Sequence, residues 1–341
     1  MTGIITVVVV LLAILALVQV VRVFELSAEV RKENLQTAQQ RENDINGKLL
    51  MVFLVLMLGS FIWMAIAWWD YMLPKPASDH GVKTDNLMAL TMYVIVAVFF
   101  ITQPLIFYFG YKYRGLKGTK AEYIEHNDKL EFIWTIIPAV VLAGIILYGL
   151  TTWINIMNPD LEEEPIVVEI YAKQFGWNAR VAGEDNRLGY ANVRFIEGAN
   201  ILGVDPDDVN SLDDRVVNEL FLPVNKPVLF KFRAQDVIHS AYLPHFRVQM
   251  NCVPGAITQF HFTPTVTTAE MRSDAGVIKR VNHINELRNE NGEDPYEFDY
   301  VLLCNKICGS AHYNMQMKIV VVEEDEYKDW LKKQKTFAEA I

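Results

Sequence analysis

Four runs of aliphatic and aromatic residues, at about residues 3–24, 49–71, 88–111 and 132–153, fill the first part of the chain, separated by short polar stretches. Each approaches the ~20 residues that an apolar helix needs to cross a bilayer, so four membrane-spanning helices are predicted. The first run has no basic residue ahead of it and no A-x-A pattern behind it, and is expected to span rather than to be cut away as a leader. After NPDLEEEP the period changes. The segments IVVEIYAKQFGW, ELFLPVNKPVLFKFRA, HSAYLPHFRVQMNCVPG, AITQFHFTPT, YVLLCNKICG and MQMKIVVVE are rich in β-branched and aromatic residues and bounded by Pro, Gly, Asn or Asp. That spacing predicts a β-sandwich or small barrel. Two longer polar stretches, about 182–217 and 266–298, interrupt the strands, and EEDEYKDWLKKQKTFAEA closes the chain with helical spacing. The expected division is an N-terminal helix pair at 1–73, a membrane hairpin at 74–158, an all-β soluble domain at 159–325 and a helical tail at 326–341.

Composition adds a direction to this pattern. The 341 residues are 52% hydrophobic yet carry a net charge of −10, which requires apolar and acidic residues to be segregated and speaks against nucleic acid as a partner. Arg22, Arg31, Lys32, Arg41 and Lys48 follow the first run, and Lys112, Arg114, Lys117, Lys120 and Lys129 follow the third. Only Lys75 and Lys83 lie between the second and third. Basic loops stay in the cytoplasm, so both termini and the β-domain are predicted on the outer, periplasmic side. Trp68, Trp69, Tyr71 and Trp153 sit where an interfacial aromatic belt belongs. Pro104 and Pro138 interrupt the third and fourth runs, a pattern expected where a bundle packs against further membrane helices. Glu184, Asp185, Asp205, Asp207, Asp208, Asp213 and Asp214 make the first insertion acidic: either a solvated face or a surface that steers a basic protein.

The candidate chemistry lies in CNKICGSAHYNM. Cys304, Cys308, His312 and Met315 put two thiols, an imidazole and a thioether on one short loop. Soft sulfur donors favour copper or zinc, and a thioether adds little to zinc, so Met315 favours copper. A second cysteine can bridge two metals, and His239 in DVIHSAYLP is the candidate for a further imidazole. A Cys304–Cys308 disulfide and a structural zinc site of two cysteines and two histidines remain open on the residues alone, as does Met315 as a core residue alternating with Met317. With only three cysteines the chain is not a disulfide scaffold, and Cys252 is expected as a buried free thiol.

From roughly the third apolar run to about residue 325, the chain resembles subunit II of the haem–copper cytochrome c oxidases. HNDKLEFIWTIIPA is similar to that family's second hairpin helix, AKQFGWN to the aromatic segment of its first strand, DVIHSAYLP to its upstream copper histidine, VPG to a turn, and CNKICGSAHYNM to its dinuclear copper loop. The resemblance implies a cupredoxin-like sandwich carrying the dinuclear centre called CuA. Cys304 and Cys308 would bridge two copper ions, with His239 and His312 terminal, Met315 weak and the Lys306 carbonyl completing the set. It also implies an electron-accepting subunit of a proton-pumping complex in a bacterial inner membrane. The donor would be cytochrome c or a tethered haem c, and oxygen would be reduced in subunit I. Glu131 would lie at the mouth of a proton-uptake path and Asp236 where a donor docks. Three departures matter. Lys306 stands where the family usually has a glutamate that helps hold magnesium or manganese at the subunit interface, so that site lacks a carboxylate. Phe175 replaces the tryptophan credited with electron uptake, leaving Trp177, taken to share its strand face, as substitute. The additional helix pair is left for contact with other subunits or another respiratory complex.

Overall fold

The structure, a computed structural model, describes residues 2–30 and 35–340. Arg31 and Lys32, two of the basic residues used to orient the helices, lie outside them. Five helices come first: α1 (Thr2–Val30), α2 (Leu35–Ala67), the short α3 (Trp69–Met72), α4 (Asp79–Lys112) and α5 (Asp128–Met157). All but α3 are long and apolar enough to cross a membrane. They outrun the apolar stretches because polar flanks such as 35–48 and 79–87 also wind into helix. Pro104 and Pro138 are carried inside α4 and α5 without ending either.

The chain divides into two compact units, Met1–Trp69 with Tyr93–Trp134, and Asp70–Met92 with Thr135–Ile341. In the first, α2 lies along the later half of α4. Phe53 meets Phe107 at 5.7 Å and Phe61 meets Phe99 at 5.3 Å between ring centroids. At the polar end Arg114 grips Asp44 with two nitrogens, at 2.9 and 2.7 Å, and the Asn43 amide donates to the Gly115 carbonyl at 3.2 Å.

The second unit holds the β-domain. Its strands are β1 (Ile166–Lys173), β2 (Gly176–Val181), β3 (Arg215–Val217), β4 (Leu220–Pro223), β5 (Val228–Ala234), β6 (His239–Leu243), β7 (Val248–Cys252), β8 (Thr258–Phe262), β9 (Tyr300–Cys304) and β10 (Gln316–Val322). They form two sheets, ordered β3-β2-β1-β5-β8 and β4-β10-β9-β6-β7. Alternate residues such as Val168, Ile170, Phe230, Phe232, Leu222, Leu243, Leu302 and Ile319 are buried in one core cluster, as a sandwich requires.

Three of the expected segments resolve differently. ELFLPVNKPVLFKFRA is two strands in different sheets, because Pro223, Pro227 and the left-handed Asn225 (φ 57°) break it. HSAYLPHFRVQMNC is the β6–β7 hairpin, turned at Pro244–Arg247 with Arg247 at φ 54°. AKQFGWN is not one strand either: Gln174 and Phe175 form the turn between β1 and β2. Phe175 and Trp177 therefore do not share a strand face, and Phe175 is 38% exposed against 5% for Trp177.

The first insertion folds down on the outer face of the first sheet, so β1 is buried on both sides. There Glu169 accepts from Arg180 at 2.9 Å and from Arg233 at 2.7 Å, and Arg180 reaches Asp214 at 3.0 Å. Buried charges need such mutual pairing. Other acids serve the insertion's own turns: Asp208 accepts the Tyr190 N–H and Asp213 the Glu184 N–H, both at 2.7 Å. Only part of the acidic run is left as a solvated face, including Glu184, Asp185 and Asp207. The second insertion is helical, α6 (Thr268–Arg272) with a Thr267–Glu270 capping box and α7 (Ala275–Glu290) capped by Asp274. The tail, α8 (Glu324–Lys333) and α9 (Phe337–Ala340), packs onto the domain through Trp330, stacked on Phe221 at 4.9 Å, and buried Phe337.

Candidate metal centre

β9 lies between β6 and β10, and this order builds the site. Cys304 ends β9, His239 begins β6, and the loop between β9 and β10 returns over both. Its ends are pinned by Cys304 N–H donating to the Met315 carbonyl at 3.1 Å and Asn305 N–H to the Ser240 carbonyl at 2.9 Å. A 3-10 turn at His312–Asn314 brings His312 and then Met315 back toward the cysteines.

The cysteine sulfurs stand 3.9 Å apart. His239 Nδ1 is 3.8 Å from Cys304 Sγ, and His312 Nδ1 is 3.7 Å from Cys308 Sγ. Met315 Sδ lies 3.8 Å from Cys308 Sγ, and the Lys306 carbonyl oxygen 3.2 Å from Cys304 Sγ. His239, Cys304 and Cys308 have their donor atoms within 4.8 Å of one another. All the expected donors thus converge. Both thiols are free, as is Cys252, which burial pushes up to about 12. Burial, with the Cys304 sulfur adding to it, pushes the Cys308 thiol up to about 11, the sign of a site that favours a thiolate only beside a cation.

These residues fit a copper site. A sulfur separation of 3.9 Å is less than twice a metal–sulfur bond of about 2.3 Å, so one ion can touch both thiolates. A thioether and a carbonyl beside two thiolates and two imidazoles exceed the roughly four donors a structural zinc takes. The cysteines' separation and free state exclude the disulfide in this structure. Met315, at 2% exposure, is as buried as a core residue, but its sulfur faces Cys308.

The other anticipated residues fall at varying distance from this cluster. Trp177 is inside, its Nε1 donating to the Met315 carbonyl at 3.4 Å and its ring edge-on to His239 at 6.1 Å. Asp236 is beside it, Oδ1 2.8 Å from His239 Nε2. Burial works against the Asp236 carboxylate, but His239 and the N–H groups of Gln174 and Val237 outweigh it and hold its carboxyl below the usual range. Glu131 belongs to the other unit, in the first turn of α5. Its Oε1 accepts the Asn127 N–H at 3.3 Å while the Asn127 side chain accepts the Leu130 N–H at 3.0 Å, a reciprocal cap. Sequence reasoning missed Gln174, whose Nε2 donates to the Cys308 carbonyl at 2.5 Å, and Gly309. The only signal for Gln174 was its place in the aromatic segment.

Fold and donors together define a membrane-anchored, cupredoxin-like copper protein. Comparisons with known proteins make this narrower. The profile for the cytochrome C oxidase subunit II transmembrane domain matches residues 66–152, and that for its periplasmic domain matches 190–283. The alternative cytochrome c oxidase subunit 2 of Bradyrhizobium diazoefficiens is 30% identical over 292 residues, covering 84% of this chain and 92% of the relative. Cytochrome c oxidase subunit 2 of Synechocystis is 22% identical over 299 residues, covering 82% and 81%. The crystal structure of the periplasmic domain of subunit II of cytochrome oxidase from Bradyrhizobium japonicum covers 50% of this chain and 95% of its own, at 19% identity and a TM-score of 0.30, which adds nothing to the assignment. The chain belongs to the cytochrome c oxidase subunit II family, whose members are part of an oxidoreductase complex. It is membrane-anchored with a periplasmic soluble domain. The periplasmic-domain match ends before Cys304, so the donor loop rests on the geometry above.

Proposed function

We propose that this chain is the electron-accepting subunit of a proton-pumping haem–copper oxygen reductase, carrying a dinuclear copper centre. The observation that carries it is the convergence of four further donor atoms on two cysteine sulfurs 3.9 Å apart, six in all, too many for one ion and enough for two that share both thiolates. Cys304 and Cys308 would bridge, with His239, His312, Met315 and the Lys306 carbonyl as outer donors. When bound, such a pair supplies one-electron uptake and release with little change of geometry, passing electrons from cytochrome c or a tethered haem c toward haem in subunit I.

The protein's own part is to hold the donors on strand ends and exclude water. His239 at 0%, Met315 at 2% and Cys308 at 6% exposure are dry, while Ile307 and Tyr313 of the same loop, at 87% and 88%, offer an exposed apolar surface. A donor would approach there, past Phe175, with Trp177 behind it. Orientation by basic loops puts both termini and this surface in the periplasm of a bacterial cell membrane, with subunit I and further oxidase subunits beside the helices. Glu131 would then stand on the cytoplasmic side, where protons are taken up. No magnesium or manganese site is proposed at Lys306, whose side chain is a cation. The test is metal content and colour. The purified full-length chain is expected to bind two coppers and to absorb intensely in the visible, and Cys308→Ser to lose that absorption. Stoichiometric zinc in a colourless protein overturns the reading.

A further inference from the structure

The Asp236 carboxylate has three partners, one of them the neighbouring Val237 N–H, which donates to Oδ1 at 2.7 Å. Oδ1 is 2.8 Å from His239 Nε2, and Oδ2 accepts the Gln174 N–H at 2.7 Å. Gln174 in turn crosses to the donor loop, its Nε2 donating to the Cys308 carbonyl at 2.5 Å. Glycine at 309 leaves room for the β1–β2 turn to close on the loop. Gly309 sits at φ 148°, and a Cβ there would stand 2.7 Å from the Phe175 ring and 3.0 Å from Gln174 Nε2.

We infer that Asp236 and Gln174 are positioning residues for the copper donors, acting as one latch, an inference that rests on the copper reading above. A neutral imidazole has one N–H and one lone pair, and a carboxylate accepts only. Asp236 at Nε2 therefore fixes the N–H on that side and leaves the Nδ1 lone pair toward the Cys304 sulfur. Gln174 fixes the peptide group that carries Cys308, the second thiol. One of the two donors so held begins β6 and the other sits in the β9–β10 loop, and the latch ties both to the β1–β2 turn. Both carboxylate oxygens of Asp236 are engaged inward, which is not how a residue kept for docking alone is used.

The full-length chain in detergent, loaded with copper, tests this with Asp236→Ala, Asp236→Asn and Gln174→Ala. Asp236→Ala and Gln174→Ala are expected to weaken copper retention against a chelator by about 10–100-fold and to shift the visible and electron paramagnetic resonance spectra. Asp236→Asn keeps an oxygen acceptor for His239 and is expected to recover most of both. If Asp236 serves docking alone, Asp236→Ala raises the donor KM of the assembled oxidase while spectrum and copper retention stay as in the unaltered chain, and the inference is wrong. Should Asp236→Ala fail to fold, unchanged spectrum and retention in Gln174→Ala sink it equally. A failure of the copper reading itself shows separately, as an unaltered chain that binds no copper.

Discussion

Asp214 lies within the first insertion and is fully buried against Arg180. Burial pushes its carboxyl up to about 7 from 3.8, with Arg180 and the Gly189 N–H pulling the other way without cancelling it. The folded state therefore holds a proton that the unfolded chain releases at lower pH. Stability from this group is full below the unfolded value and is lost as pH rises through about 7. Thermal melting of the full-length chain in detergent is expected to show a midpoint that falls between pH ~5 and pH ~8, with that part of the slope gone in Asp214→Asn. The candidate metal donors were legible in the sequence because soft donors are rare and their spacing was tight. Gln174 was not, since its partner lies 134 residues away and nothing in a glutamine advertises a carbonyl on a distant loop. Trp177 was named only as a substitute for electron uptake on a face shared with Phe175, whereas the structure buries it beside the donors.

At the scale of elements, the start of α5 carries two readings of one residue. Asn127 caps the helix at the Leu130 N–H, a contact worth about 1 kcal/mol to the first turn, and Glu131 returns a bond to the Asn127 N–H. The returned bond survives replacement of Glu131 by an isosteric amide, which also keeps an oxygen acceptor, whereas proton uptake needs the carboxylate. Glu131→Gln is thus expected to slow proton-coupled turnover of the assembled oxidase several-fold while copper content stays unchanged. Turnover equal to that of the unaltered complex would leave Glu131 as a cap alone. The helices themselves were legible because length and apolarity suffice to define a membrane span. The strands were found except β3, which lies inside the stretch read as the first insertion, and their allotment to sheets was not: β4 and β5 read as one apolar segment, and the Pro223–Pro227 break sends them to opposite sides of the core. The acidic insertion hid in the same way, because charge pattern alone does not separate acids that face water from one that folds inward onto Arg180.

The whole molecule carries a net charge of −10. A basic soluble donor would be drawn to the periplasmic domain over a distance set by the Debye length, about 8 Å at physiological salt. Raising ionic strength is expected to raise the donor KM of the assembled oxidase severalfold, measured with a basic cytochrome. Insensitivity to salt would instead point to a donor tethered within the assembly, meeting the apolar surface at Ile307 and Tyr313. Of the additional pair, α2 is joined to α4 and the residues just after it by the Phe53–Phe107 and Phe61–Phe99 contacts and the Asp44–Arg114 pair, an attachment that apolar patterning did not foretell. The donors, finally, are strung from His239 to Met315, behind all four spans and most of the β-strands. A chain delivered across the membrane from its N-terminus therefore exposes its first imidazole long before the last thioether has emerged. On the proposed copper reading the cage can close only once the loop after β9 has been delivered, and a translation product cut short before that loop would leave the ribosome with its four apolar helices complete and its metal cage open.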